Sequence, residues 1–147
     1  MNLTDQEISQ IRESMRWLKP EIERVAPKFY DDLFRRDPAL RAMFRDNLDE
    51  QGMRFMTAVS VITDYLDDPI GLNAEVARLA EGHRAMQIRA KDYHSMEEAL
   101  IDTFREALGA RFSPDMQRAW RHAFRQIGEA MMEDTDPDLI APVAPLN

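Results

Sequence analysis

Three polar side chains interrupt apolar helical stripes, and they carry the chemistry this chain has to offer. Val76, Leu79, Ala80 and His83 fall at i, i+3, i+4 and i+7, so the imidazole shares an inward face. Tyr30 sits inside the stripe Ile22, Val25, Ala26, Phe29, Tyr30, Leu33, Phe34, and Gln51 lies one turn before Phe55 on a third face. An imidazole in an apolar interior must find a partner, a hydrogen-bonding group or a metal, or lose free energy. A phenol is a neutral donor at pH 7, because its reference pKa is about 10. An amide both donates and accepts. Each residue also has an ordinary reading: a hydrogen-bonded core histidine, a packed tyrosine, a glutamine exposed near a helix start. Three such groups on separate helices can instead converge on one interior site.

The other histidines offer less. His94 neighbours Glu97 and Glu98, and His122 lies in a basic cluster with Arg118, Arg121 and Arg125 that is expected to be a solvated helix face. No His-Glu-x-x-His arrangement occurs, and cysteine is absent, so zinc sites, thiolate sites and disulfides are not expected. The five glycines are scattered singly, against a phosphate-cradling loop. The net charge of −8 disfavours nucleic acid and anionic membranes as partners. No apolar run approaches the ~20 residues of a membrane span. Residues 1–10 lack a basic-then-apolar signal pattern, which favours the cytoplasm.

The elements that must position these residues are all helical, since no segment alternates like a strand. Thr4 and Glu7 form a capping-box signature before a stripe of Ile8, Ile11, Met15 and Leu18. Pro20 suits the first turn of the Tyr30 helix. Asp37-Pro38 closes that helix and opens a short third one through Phe44. Asn47 and Glu50 repeat the box signature before the stripe Phe55, Val59, Ile62, Leu66, and Asp67-Asp68-Pro69 ends it with Gly71 in the turn. Asn73 is the expected cap of the His83 helix. The next runs from about Asp92 to Leu108, with Met96, Ala99, Leu100, Thr103, Phe104 and Ala107 inward, and Gly109 stops it. Ser113-Pro114 starts the last, which buries Met116, Ala119, Trp120, Ala123, Phe124, Ile127 and Met131. The expected organisation is one domain over residues 1–133 and a mobile, proline-bearing tail over 134–147. Ten methionines imply an adaptable core.

The run Phe29-Tyr30-Asp31-Asp32-Leu33-Phe34, then Asp37-Pro38 and Phe44, resembles the second helix, short third helix and aromatic corner of bacterial globins. Gln51 and His83 are 32 positions apart, as distal and proximal haem residues are in that family. Leu79-Ala80-Glu81-Gly82-His83, with Ile88 and with Tyr93 ten residues after the histidine, resembles the proximal segment, and Ala119-Trp120 fits the last helix. The resemblance spans residues 3 to 133 and is nearest to single-domain bacterial globins and the globin domain of flavohaemoglobins.

That resemblance implies an all-α globin fold of six to eight helices around haem b, iron protoporphyrin IX. His83 would supply the axial imidazole to the iron, Phe44 would stack on the porphyrin, and Phe55 would wall the opposite pocket. Tyr30 and Gln51 would face the bound gas, Tyr93 would orient His83, and Arg54 would reach a propionate. The implied function is high-affinity, slow-releasing O2 binding, with NO and CO as further ligands, at a five-coordinate or weakly six-coordinate iron. Nitric oxide dioxygenation with a reductase supplied in trans is the enzymatic alternative. A haem-based gas sensor or a haem-free helical interaction domain is the non-enzymatic one. Monomer and homodimer both remain open. Flavohaemoglobins also carry a glutamate in the last helix that pairs with the proximal Tyr–His unit. By register from Trp120 that position is Thr135 here.

Overall fold

The Thr4 hydroxyl accepts the Glu7 backbone N–H at 3.1 Å, and the Glu7 carboxylate accepts the Thr4 N–H at 2.9 Å. This reciprocal cap starts α1 (Asp5–Leu18) where the sequence predicts it. A computed structural model of the chain describes residues 2–44, 47–85 and 88–133, the side chains of 82–85 and 133 excepted. The tail expected over 134–147 lies outside the described residues. Five further helices follow: α2 (Ile22–Arg36), α3 (Leu48–Asp64), α4 (Pro69–Ala85), α5 (Ala90–Leu108) and α6 (Pro114–Glu133). Short 3-10 turns at Lys19–Glu21, Pro38–Met43 and Gly109–Arg111 join them, and the described residues contain no strand. None of these helices is long and apolar enough to cross a membrane.

The stripes read from the sequence form the core. Ile11, Met15, Leu18, Val25, Phe29, Leu33, Leu100 and Phe104 are buried almost completely. α2 packs against both α5 and α3, while α6 packs against α1, α4 and α5. Trp120 fastens α6 to α1: its indole N–H donates to Ser14 Oγ at 2.8 Å, and that hydroxyl lies 2.9 Å from the Ile11 carbonyl. Arg12 fastens α1 to the far end of α3. Its guanidinium donates to the carbonyls of Thr63 (3.1 Å) and Asp64 (3.2 Å) and to Asp67 Oδ1 (2.9 Å). Those carbonyls belong to the last turn of α3, where no partner within the helix remains.

Several local expectations are corrected. Pro20 lies inside a separate 3-10 turn, Lys19–Glu21, and α2 starts after it at Ile22. The segment after Asp37 is likewise 3-10, and the Asp37 carboxylate accepts from Ser95 Oγ at 3.2 Å instead of capping it. Asn47 does cap α3, accepting the N–H groups of Asp49 and Glu50. Asn73 does not cap α4: the helix starts at Pro69, and Asp68 Oδ1 accepts the Gly71 N–H at 3.2 Å. Proline at the first helical position after an aspartate cap is a strong start. Gly71 is therefore inside α4, where a Cβ would stand 2.5 Å from the Tyr65 ring. α5 begins at Ala90, two residues before the expected Asp92, and Gly109 at φ 57° ends it as predicted.

The basic cluster on α6 is a further correction. Arg121 donates to Glu97 Oε2 at 2.8 Å and also to Glu98, and Arg125 clasps Glu97 through Nε and Nη2, both at 3.0 Å. The Glu97 side chain is only 4% exposed. Most of this face is thus an ion-paired seam between α5 and α6. Arg118, at 70% exposed beside Asp115, fits the solvated reading, and Arg125 keeps 61% of its side chain exposed while it pairs with Glu97. His122 pairs with Glu7, at 2.7 Å from Nδ1.

Candidate functional site

The packing of α2 and α3 against α4, α5 and α6 leaves an interior cavity of about 300 Å³. Its wall is apolar for the most part: Phe29, Phe55, Val59, Ile62, Leu66, Leu79, Met96, Leu100, Phe124 and Ile127 all face it. Six of the seven residues singled out in the sequence line this one space: Tyr30, Phe44, Gln51, Arg54, Phe55 and Tyr93. The seventh, His83, is a residue of α4, and its side chain lies outside the described ones. Its register is informative all the same. Val76 and Ala80 are buried and Leu79 lines the cavity, and position 83 continues their spacing.

Aromatic rings hold Tyr30 from three directions. Phe34 stacks on it at 5.6 Å with 7° between planes, Phe44 meets it edge-on at 5.2 Å, and Phe29 is tilted at 5.3 Å. Such offset and edge contacts add to the energy of burial itself. Phe29 in turn stacks on Phe55 at 4.3 Å, which joins α2 to α3 across the cavity roof. Tyr30 is 5% exposed, and no group among the described residues hydrogen-bonds its hydroxyl. Burial pushes its pKa up to about 12, against a smaller opposing pull from Arg54. The phenol is therefore a neutral donor across the physiological range, and a buried donor calls for an acceptor.

Gln51 is half-buried, and its Oε1 is fully enclosed. Tyr93, on α5, has a buried hydroxyl, and its pKa is also pushed up to about 12, first by burial and then by the neighbouring Asp92. Gly128 of α6 lies against the Tyr93 ring, where a Cβ would stand 3.5 Å from Cδ1. Arg54 reaches the rim from an exposed position.

Sequence reasoning missed two contributors to the site. Arg78, paired with Glu75 at 2.7 Å, reaches the cavity rim from α4. Its spacing reads as an exposed face, and nothing local marks it. Gly52 lies directly under Tyr30, where a Cβ would come within 3.2 Å of Cε2. A glycine inside a helical pattern costs about 1 kcal/mol against alanine, and that cost is the signal that could have found it.

The arrangement suits a flat apolar prosthetic group better than a polar substrate. The wall is greasy, the cations among its described residues are Arg54 and Arg78 at the rim, and the Tyr30 phenol faces the interior. Comparison with known proteins agrees with this geometry. The chain is 26% identical to a flavohemoprotein of Halalkalibacterium halodurans over 76% of this chain and 28% of that protein. It is 27% identical to a flavohemoprotein of Bordetella pertussis over 78% of this chain and 29% of the relative. The chain thus spans under a third of these flavohemoproteins. An anaerobic nitrite reductase of Oryza sativa, NSHB5, is 25% identical over 91% of this chain and 97% of its own length. The family model described as Globin matches residues 27–131, most of the chain and every helix that lines the cavity except α1, and the chain belongs to that family.

Proposed function

We propose that this chain is a haem b globin domain, spanning residues 1–133, that binds a diatomic gas with slow release. One observation carries the reading: a mostly apolar cavity of about 300 Å³ lined by Tyr30, a phenol only 5% exposed, in a chain of the globin family. In this reading the residues on hand fit the group. His83 would supply an imidazole ligand to the iron, Phe44 and Phe55 would offer aromatic faces, and Arg54 and Arg78 would offer cations at the rim to the propionates. When bound, haem supplies an iron that takes up O2, NO or CO reversibly.

The rest is done by the polypeptide. The cavity wall excludes water, which strengthens every electrostatic contact inside. Tyr30 and Gln51 donate hydrogen bonds to the gas, and donors fixed in place beforehand stabilise developing negative charge without reorganising. A hydrogen bond to a charged acceptor is worth about 1.5–3 kcal/mol. At about 1.4 kcal/mol per decade, the two donors slow release by at least a decade. Tyr93, on the cavity wall, would orient the imidazole and so tune its basicity as a ligand.

A second reading is an electron-fed enzyme acting on NO or nitrite, with a reductase in trans. The likeness to plant proteins named anaerobic nitrite reductases, which covers nearly the whole of both chains, favours it. The first test is an optical spectrum of the ferric, ferrous and CO-bound forms of the protein and of His83→Ala. An intense Soret band that is altered in the variant is expected. No haem uptake, or identical spectra in the two proteins, refutes the assignment. Supplying a reductase and following NO and nitrite then separates the readings, since turnover no faster than free haem leaves gas binding alone.

A further inference from the structure

We infer that Gly52 is a positioning residue for the Tyr30 hydroxyl, and that it sets how fast the cavity releases its gas. The inference rests on the haem-globin reading of the cavity. Gly52 follows Gln51 on α3 and is buried against α2. A Cβ there would stand 3.2 Å from Tyr30 Cε2, 3.4 Å from Ala26 Cβ and 3.4 Å from the Ala26 carbonyl oxygen. The tightest of these contacts falls on the tyrosine ring. The ring cannot turn away freely, because Phe34 covers one face and Phe44 abuts it edge-on. The ring must then shift as a body by a few tenths of an ångström, and its hydroxyl shifts with it. The hydrogen-bond energy falls off with distance and angle, so a displaced donor holds the gas less well. The absent methyl group, more than helix flexibility, explains a glycine in mid-helix.

The test is a double-mutant cycle on the haem-loaded protein, with O2 dissociation as the readout. A misplacement of 1 Å costs up to ~100-fold in geometry-dependent steps, so Gly52→Ala is expected to speed dissociation about 3–5-fold. In a Tyr30→Phe background the same substitution should change the rate less than about twofold, because the hydroxyl it displaces is gone. The CO stretching frequency of Gly52→Ala should move in the direction that Tyr30→Phe moves it. In haem-free protein, Gly52→Ala and Tyr30→Ala should be coupled in thermal unfolding. Alanine favours helix over glycine, so the variant is expected to fold. Should it not, Phe34→Leu, which uncovers one face of the ring, should speed dissociation and be non-additive with Tyr30→Phe. A raised rate in Tyr30→Phe with an unchanged rate in Gly52→Ala, or strict additivity of the two, overturns the inference alone. An unchanged rate in Tyr30→Phe overturns the assignment of Tyr30 as donor and this inference with it.

Discussion

Glu97→Ala should destabilise the protein far more than Glu98→Ala, although the two residues are adjacent and share a partner. Glu97 accepts three charged hydrogen bonds, one from Arg121 at 2.8 Å and two from Arg125 at 3.0 Å, with a side chain 4% exposed. Breaking a buried ion pair typically costs about 3–5 kcal/mol, because the surviving charge is left unpaired. Here that penalty is softened. Arg121 keeps Glu98, and Arg125 is 61% exposed, so water takes over much of its solvation. The bond to Arg121 counts for about 1.5–3 kcal/mol, and the exposed Arg125 pair adds about 0.2–1 kcal/mol. The expected loss is about 2–4 kcal/mol for Glu97→Ala and about 1 kcal/mol for Glu98→Ala. Urea unfolding at pH 7 measures both. At about 2–4 °C per kcal/mol for a chain of this size, the midpoint of thermal unfolding of Glu97→Ala falls by about 4–16 °C. The Debye length is about 3 Å in 1 M salt, yet more than half the Glu97 effect should survive there, since the Glu97 carboxylate itself is nearly closed to solvent. A loss below 0.5 kcal/mol, or one that vanishes in 1 M salt, would show that the seam is an ordinary surface pair.

Tyr30→Phe should raise the O2 dissociation rate by about tenfold, the worth of one hydrogen bond to a partly charged acceptor, measured by stopped-flow displacement with CO. Raised phenol pKa values also predict alkaline instability. Tyr30 and Tyr93 titrate at about 12 when folded and at 10 in the unfolded chain. The folded state holds those protons longer, so the stability they confer is intact below pH 10 and is lost as pH rises toward 12. At about 1.4 kcal/mol per unit the loss is at most about 3 kcal/mol per residue, and urea midpoints between pH 9 and 11.5 should fall less steeply in Tyr30→Phe. Gly71→Ala should cost about 1–3 kcal/mol by overpacking against Tyr65, despite its better helix propensity, and a gain in thermal midpoint would contradict the contact.

Positions that interrupt a stripe were legible in the sequence, because one helix period tells which way they face. Tyr30 and Gln51 reach one cavity for that reason, while Phe44 was placed there only by the resemblance. Local caps were legible where the pattern was clean. Ser113-Pro114 starts α6 with the hydroxyl accepting the Met116 N–H at 3.1 Å, as expected. The same signature at Asp68-Pro69 was obscured by Gly71, which resembles a turn residue. Its true reason is the Tyr65 ring beside it, and side-chain packing of that kind leaves no periodic trace. The basic cluster was misread for a related cause. Its carboxylate partners sit 23 to 28 residues earlier, on another helix. Only the packing of α5 on α6 shows that Glu97 is buried.

Arg12 gives α3 a pivot. Its guanidinium ties α1 to the Thr63 and Asp64 carbonyls at the far end of that helix. The near end is held by the Asn47 cap, the close contact of Gly52 with α2 and the Phe29–Phe55 stack. Dispersion contacts of this sort are individually weak. Twelve residues at about 1.5 Å each put Gln51 about 18 Å from the pivot. A tilt of only about 5° would therefore carry its amide about 1.5 Å across the cavity by lever action. Cross-helix hydrogen bonds from one guanidinium thus make the far end of α3 the fixed one and the Gln51 end the one with reach.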